Sequence, residues 1–154
     1  MASQIEKRIV LKAPASRVWR ALTEYREFGE WFRVRLEGPF VPGEESRGMI
    51  TWPGYEHVVW RAMVQKMEPE RLFSFRWPHA RSFETKDSLA DKSTAPTTLI
   101  EFRLEEIQGG TLLILTESGF ENIPADWREG ALRRNEGGWT QQMKNIETHV
   151  TQAS

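Results

Sequence analysis

The stretch GGWTQQMKNIETHV, residues 137–150, decides how the rest of the chain is read. Trp139, Met143, Ile146 and Val150 recur at spacings of four, three and four, which sets them on one stripe of an α-helix. Gln141, Gln142, Lys144, Asn145, Glu147 and Thr148 occupy its other sides. Leu132 falls one heptad before Trp139, so the stripe can be continued back through residues 133–136. Gly137 and Gly138 interrupt it. Each glycine costs roughly 1 kcal/mol in a helix interior relative to alanine, so the pair marks a helix start, a kink, or a close approach by another backbone. An amphipathic helix that follows a run of strand patterns needs a sheet to lie on.

Working outward, residues 4–12 (QIEKRIVLK) read as a strand that Ala13-Pro14 ends. Two short helices follow. Ser16 is the expected N-cap of the first, with Val18, Trp19 and Leu22 as its apolar neighbours. Thr23 is expected to cap the second, residues 25–32, with Phe28, Trp31 and Phe32 as its apolar side. From Val34 to Phe120 the signals are strand and turn: strands at 35–38, 48–52, 57–67, 72–77, 97–107 and 111–118, broken by Gly38-Pro39, Pro42-Gly43, Pro53-Gly54 and Gly109-Gly110. Short connections imply antiparallel pairing. Residues 79–96 have no period and only Phe83 and Leu89 as large apolar side chains, so they read as a long exposed loop, functional or disordered.

A chain of 154 residues is expected to form one domain, 1–154, large enough for a core without staples. A net charge of −1 gives no bulk attraction to nucleic acid or anionic membrane, and the 128, 133 and 134 arginines are interleaved with Glu129 and Glu136. Without cysteine there are no disulfides, thiolate metal sites or cysteine nucleophiles, which fits a cytoplasmic setting. No leader pattern and no apolar run of about 18 residues is present. His57, His79 and His149 lack the helical spacing of a zinc site, so they read as surface histidines and no metal or cofactor is expected. Glu117-Ser118-Gly119 lacks the upstream glycine of a nucleophile elbow, and neither glycine pair continues into a phosphate loop. No catalytic residue is assigned.

The aromatic residues carry more information, with seven tryptophans against two tyrosines. Strand alternation puts Trp60, Phe73, Phe75, Trp77 and Phe102 on one face, and Trp139 and Met143 belong to the helix that should cover it. Such a set either fills a core or walls a cavity. Arg61 and Glu101 fall on the opposite face as an exposed cross-strand charge pair, unless the register slips by one residue and turns them inward.

The order of elements, with the residue 9–14 lead-in, VWRALT at 18–23, EWF at 30–32, ESGF at 117–120 and GGW at 137–139, resembles the activator-of-Hsp90-ATPase homologue (AHSA1-like) family of the START/Bet v 1-like (SRPBCC) superfamily. The resemblance implies an α+β helix-grip fold: a curved antiparallel sheet of six or seven strands wrapped round a long C-terminal helix, with a cavity between them. In a gripped helix, Gly137 and Gly138 are expected to admit a strand or ring close to the backbone. The expected function is a non-catalytic domain binding a hydrophobic or aromatic small molecule, with Trp31, Trp60, Phe73, Phe75, Trp77, Phe102, Trp139 and Met143 lining the cavity. The alternatives are a cavity-based cyclase or hydrolase, for which Glu101, Glu117 and Arg61 are the candidates, and a chaperone-interaction module. A monomer or weak homodimer is expected.

Overall fold

The structure, a computed structural model, describes residues 4–78 and 97–152. The expected 79–96 loop, with His79, lies outside the described residues. The chain runs β1 (Ile5–Leu11), α1 (Ala15–Thr23), α2 (Tyr25–Phe32), β2 (Val34–Leu36), β3 (Glu45–Ile50), β4 (Val59–Glu68), β5 (Leu72–Pro78), β6 (Thr97–Ile107), β7 (Gly110–Ser118), a 3-10 turn (Phe120–Asn122) and α3 (Ala125–Gln152). The seven strands form one antiparallel sheet in the order β1-β7-β6-β5-β4-β3-β2. The sheet curves round α3, and a register shift between Val64 and Lys66 adds a bulge that bends β4. This is the helix-grip α+β architecture.

The helical stripe faces the sheet as its spacing requires: Trp139, Met143, Ile146 and Val150 are all buried. On the sheet, Trp60, Ala62, Val64, Phe73, Phe75, Ile100, Phe102 and Leu104 turn towards them. The register is therefore the one that the alternation requires. Burying this apolar surface is the main favourable contribution to the fold, at roughly 25 cal/mol per Å².

The helix starts differ from expectation. Pro14 precedes α1 with no side-chain cap, so Ser16 lies inside the helix. At α2 the cap is Glu24, whose carboxylate accepts from the Arg26 N–H at 2.8 Å. Thr23 instead donates back to Trp19 O at 2.7 Å, the bond of a residue still inside α1. Trp31 ties the two short helices together through its indole N–H, which donates to Ala21 O at 2.8 Å. A helix end leaves carbonyls without intrahelical partners, and α3 supplies donors for those of α2. Gln142 Nε2 donates to Phe32 O at 2.9 Å and Asn145 Nδ2 to Trp31 O at 3.1 Å. Among the described residues, no helix is long and apolar enough to cross a membrane.

The expected role of Gly137 and Gly138 is not what the fold shows. A Cβ added at either glycine would meet nothing within 4 Å, so no strand or ring leans on the helix there. Both are exposed, and Gly138 opens onto the space described next.

Candidate functional site

Between α3 and the open end of the sheet lies a pocket of about 450 Å³. Its walls come from four places: Phe32 at the end of α2, Ile50 with Trp52, Tyr55 and Val58 from the β3–β4 connection, Trp77 on β5, and Asn135, Gly138, Trp139, Gln141 and Gln142 on α3, with Arg134. A second lobe of about 230 Å³ shares Phe32, Ile50, Val58, Trp77 and Asn135, and reaches Trp60, Arg61, Thr98 and Ile123.

The predicted lining residues divide into two groups. Trp60, Trp77 and Trp139 face these lobes. Trp31, Phe73, Phe75, Phe102 and Met143 line neither; they are buried in the layer behind. Trp31 packs edge-on to Phe102, and Phe73 stacks on Phe102 at 6.3 Å. Trp77 and Trp139 form the join, with rings stacked at 5.5 Å and 20°.

Sequence reasoning passed over Trp52, Tyr55 and Asn135. The one available signal was the pair of large rings flanking the Pro53-Gly54 turn, where a surface turn has no need of them. Tyr55 is 61% exposed and stands at the rim.

Behind the wall sits Glu117, the penultimate residue of β7, paired with Ile5 of β1 and fully buried. Trp139 Nε1 donates to its Oε1 at 2.8 Å, while Trp77 Nε1 and Thr98 Oγ1 donate to its Oε2 at 3.0 and 2.5 Å. Asn135 Nδ2 bridges both oxygens at 3.2 and 3.0 Å. Four donor groups converging on two oxygens are the complement of a carboxylate, which only accepts. One side chain of β7 thus hydrogen-bonds residues of α3, β5 and β6 together.

The other candidate acid and base residues are engaged elsewhere. Arg61 does not pair with Glu101, since β5 separates their strands; it donates to Glu45 Oε2 at 2.6 and 3.0 Å. Glu45 also accepts from Arg47. Burial raises the Glu45 carboxyl, but its bonds to Arg47 and Arg61 and their charges outweigh that and hold it below the ordinary value. Glu101 pairs with Arg103 at 3.1 Å.

His149 is not the surface residue that its spacing suggested. It is partly buried, with Nε2 2.9 Å from Glu27 Oε1; Arg17 binds the same oxygen at 2.7 Å and Arg20 binds Oε2 at 2.6 Å. Burial raises the Glu27 carboxyl, but hydrogen bonds from His149 and Arg17 and the charges of Arg17 and Arg20 hold it below its ordinary value. Among the described residues, no group of histidines and carboxylates is placed to hold a metal ion.

Over residues 12–151 the sequence matches the family described as Activator of Hsp90 ATPase homolog 1-like protein. The chain belongs to that family. Phe32 of EWF and Trp139 of GGW line the pocket, and Glu117 of ESGF bonds to Trp139 from behind it. No curated protein matches the chain. Solved structures do match in fold. Protein MLL2253 from Mesorhizobium loti is 21% identical, with 98% of each chain covered and a TM-score of 0.76. DynU16, a protein in the dynemicin biosynthetic locus, is 17% identical, with a TM-score of 0.74; the match covers 100% of this chain and 49% of DynU16, so this chain spans about half its length. CalU16 from Micromonospora echinospora is 21% identical over 96% of this chain and 73% of its own, with a TM-score of 0.65. At these identities the likeness concerns the fold.

Proposed function

We propose that this member of the activator-of-Hsp90-ATPase homologue family is a non-catalytic binding domain for an apolar or aromatic small molecule. The site for it is the pocket between α3, the β3–β4 connection and the end of β5. The observation that carries this reading is the pocket itself: about 450 Å³, walled by Phe32, Trp52, Tyr55, Trp77 and Trp139 around a few amides. Ligand sites typically have about 300–1,000 Å³ and this mixture of apolar wall and sparse polar groups. The place of the structural relative DynU16 in the dynemicin biosynthetic locus lends support. Glu117 supports a binding role over an acid–base role, because its oxygens are engaged by four wall residues and it does not itself line the pocket.

A panel of aromatic hydrocarbons, aromatic metabolites and lipids, followed by thermal shift and by tryptophan fluorescence, tests the proposal. A ligand at 100 times its dissociation constant adds about 2.7 kcal/mol of stability. The emission of Trp77 and Trp139 should change with the same midpoint. A panel without a single saturable response would remove the reading.

A further inference from the structure

Building on the reading of the pocket as a small-molecule site, we propose that its ligand is an organic cation, a protonated amine or quaternary ammonium on an apolar or aromatic frame. The first observation is where the negative charge lies. Glu117 is fully buried, and each of its donor partners, Trp77, Thr98, Asn135 and Trp139, lines one or both lobes. The carboxylate therefore stands one side chain behind the wall. Among the described residues no lysine, arginine or histidine pairs with it. Neutral donors solvate a buried carboxylate without neutralising it, and a buried charge is costly until an opposite charge comes near. A cation in the pocket supplies that charge.

The second observation is how the wall is polarised. Both indole N–H groups point at Glu117, which leaves the carbon surface of Trp77 and Trp139 for the pocket. Donation to an anion pushes electron density back onto each ring, and electron-rich ring faces attract cations. The amides are oriented in the same sense. Asn135 turns its NH₂ to Glu117, Gln142 gives its own to Phe32 O, and Gln141 gives its own to Asn145 Oδ1. The Gln142 oxygen accepts from Asn145, while Asn135 Oδ1 and Gln141 Oε1 are acceptors on residues that line the pocket, beside the second N–H of each glutamine amide. These acceptors and ring carbons suit a donor-bearing cation.

Of the arginines near the pocket, Arg33 lies over the Trp52 ring, its guanidinium carbon 5.4 Å from the centroid, so one wall ring already carries a cation. Arg61 is committed to Glu45 by two bonds. Arg134 lies on the exposed side of α3, where water screens its charge far more than that of a group in the interior.

Three probes built on one ring system separate charge from shape: 2-naphthyl-trimethylammonium, its neutral isostere 2-tert-butylnaphthalene, and 2-naphthoate. Each is titrated into the full chain by tryptophan fluorescence and by calorimetry. The ammonium should bind about tenfold more tightly than the hydrocarbon, in line with a cation held on desolvated aromatic faces, and naphthoate more weakly than either. In Glu117→Gln, with its fold checked by circular dichroism, the ratio of ammonium to hydrocarbon affinity should fall towards one, whatever the absolute affinities become. Hydrocarbon or naphthoate binding as tightly as the ammonium overturns the cation proposal and leaves the pocket reading intact. So does a folded Glu117→Gln that keeps the full ratio. Failure of all three probes to bind removes both readings. Should Glu117→Gln not fold, the order of the three affinities in the unaltered chain decides alone.

Discussion

Trp139→Phe is the substitution that separates packing from hydrogen bonding at the helix–sheet junction. Phenylalanine keeps a six-membered ring among Phe32, Trp77 and Phe102, whose centroids lie 6.0, 5.5 and 5.8 Å from that of Trp139. It removes the N–H that donates to Glu117 Oε1 at 2.8 Å, leaving that oxygen, among the described residues, the 3.2 Å contact from Asn135. A hydrogen bond to a charged group contributes about 1.5–3 kcal/mol, and the buried oxygen loses its shorter bond, so the expected loss is about 2–3 kcal/mol. Trp139→Ala also empties the ring's volume and should cost about 3–5 kcal/mol, a large part of a typical domain's stability. Urea denaturation followed by far-ultraviolet circular dichroism measures both, because tryptophan emission would itself be altered by the changes. The midpoints should move with little change in slope. A Trp139→Phe protein within about 0.5 kcal/mol of the parent would refute the account, since a bond to a buried carboxylate cannot be lost so cheaply.

Other expectations concern the ion-paired Glu27 and Glu45, the glycines of α3 and the pocket. Glu27 and Glu45 have lowered carboxyl values, so each contributes stability that is present above the ordinary glutamate range and lost as pH falls through its folded value. Acid unfolding should therefore begin at a lower stability in Glu27→Gln, and its pH dependence across that range should flatten; an unchanged acid limb would refute the assignment. Gly137→Ala should stabilise the protein by about 0.5–1 kcal/mol, because the helix gains propensity and the added methyl meets open space; a loss on thermal melting would contradict this. Gly138→Leu projects into the pocket, so it should leave the melting temperature nearly unchanged while weakening any ligand found in the fluorescence panel by about tenfold or more.

The helix stripe and the sheet faces were legible because each is a local repeat that burial must obey. Trp139, Met143, Ile146 and Val150 read correctly from spacing, as did Phe73 and Phe75. The caps were less legible: Thr23 and Glu24 are both capable of capping α2 and a shift of one residue decides between them, while the N-cap position of α1 falls two residues ahead of Ser16, at Pro14. The Glu117 cluster was legible in its parts only. Its donors Trp77 and Trp139 lie 40 and 22 residues away, and their meeting depends on the β6–β7 register and on how far round α3 turns. Gly137 and Gly138 were recognised as unusual, but sequence cannot tell a glycine that admits a neighbour from one that leaves space.

The pairing of β1 with β7 also governs when the fold can form. Ile5 pairs with Glu117, and Thr111 Oγ1 donates to Ala13 O across 98 residues of chain. During synthesis β1 leaves the ribosome long before the strand it joins, and the sheet has no completed edge on that side until β7 follows. Contacts so distant in sequence must meet the entropy of closing a long loop before they contribute anything, which slows folding relative to helical proteins of equal stability. The carboxylate of Glu117 lies on that late strand, so the pocket wall is assembled only at the end, when β7 docks and α3 brings Asn135 and Trp139 to it.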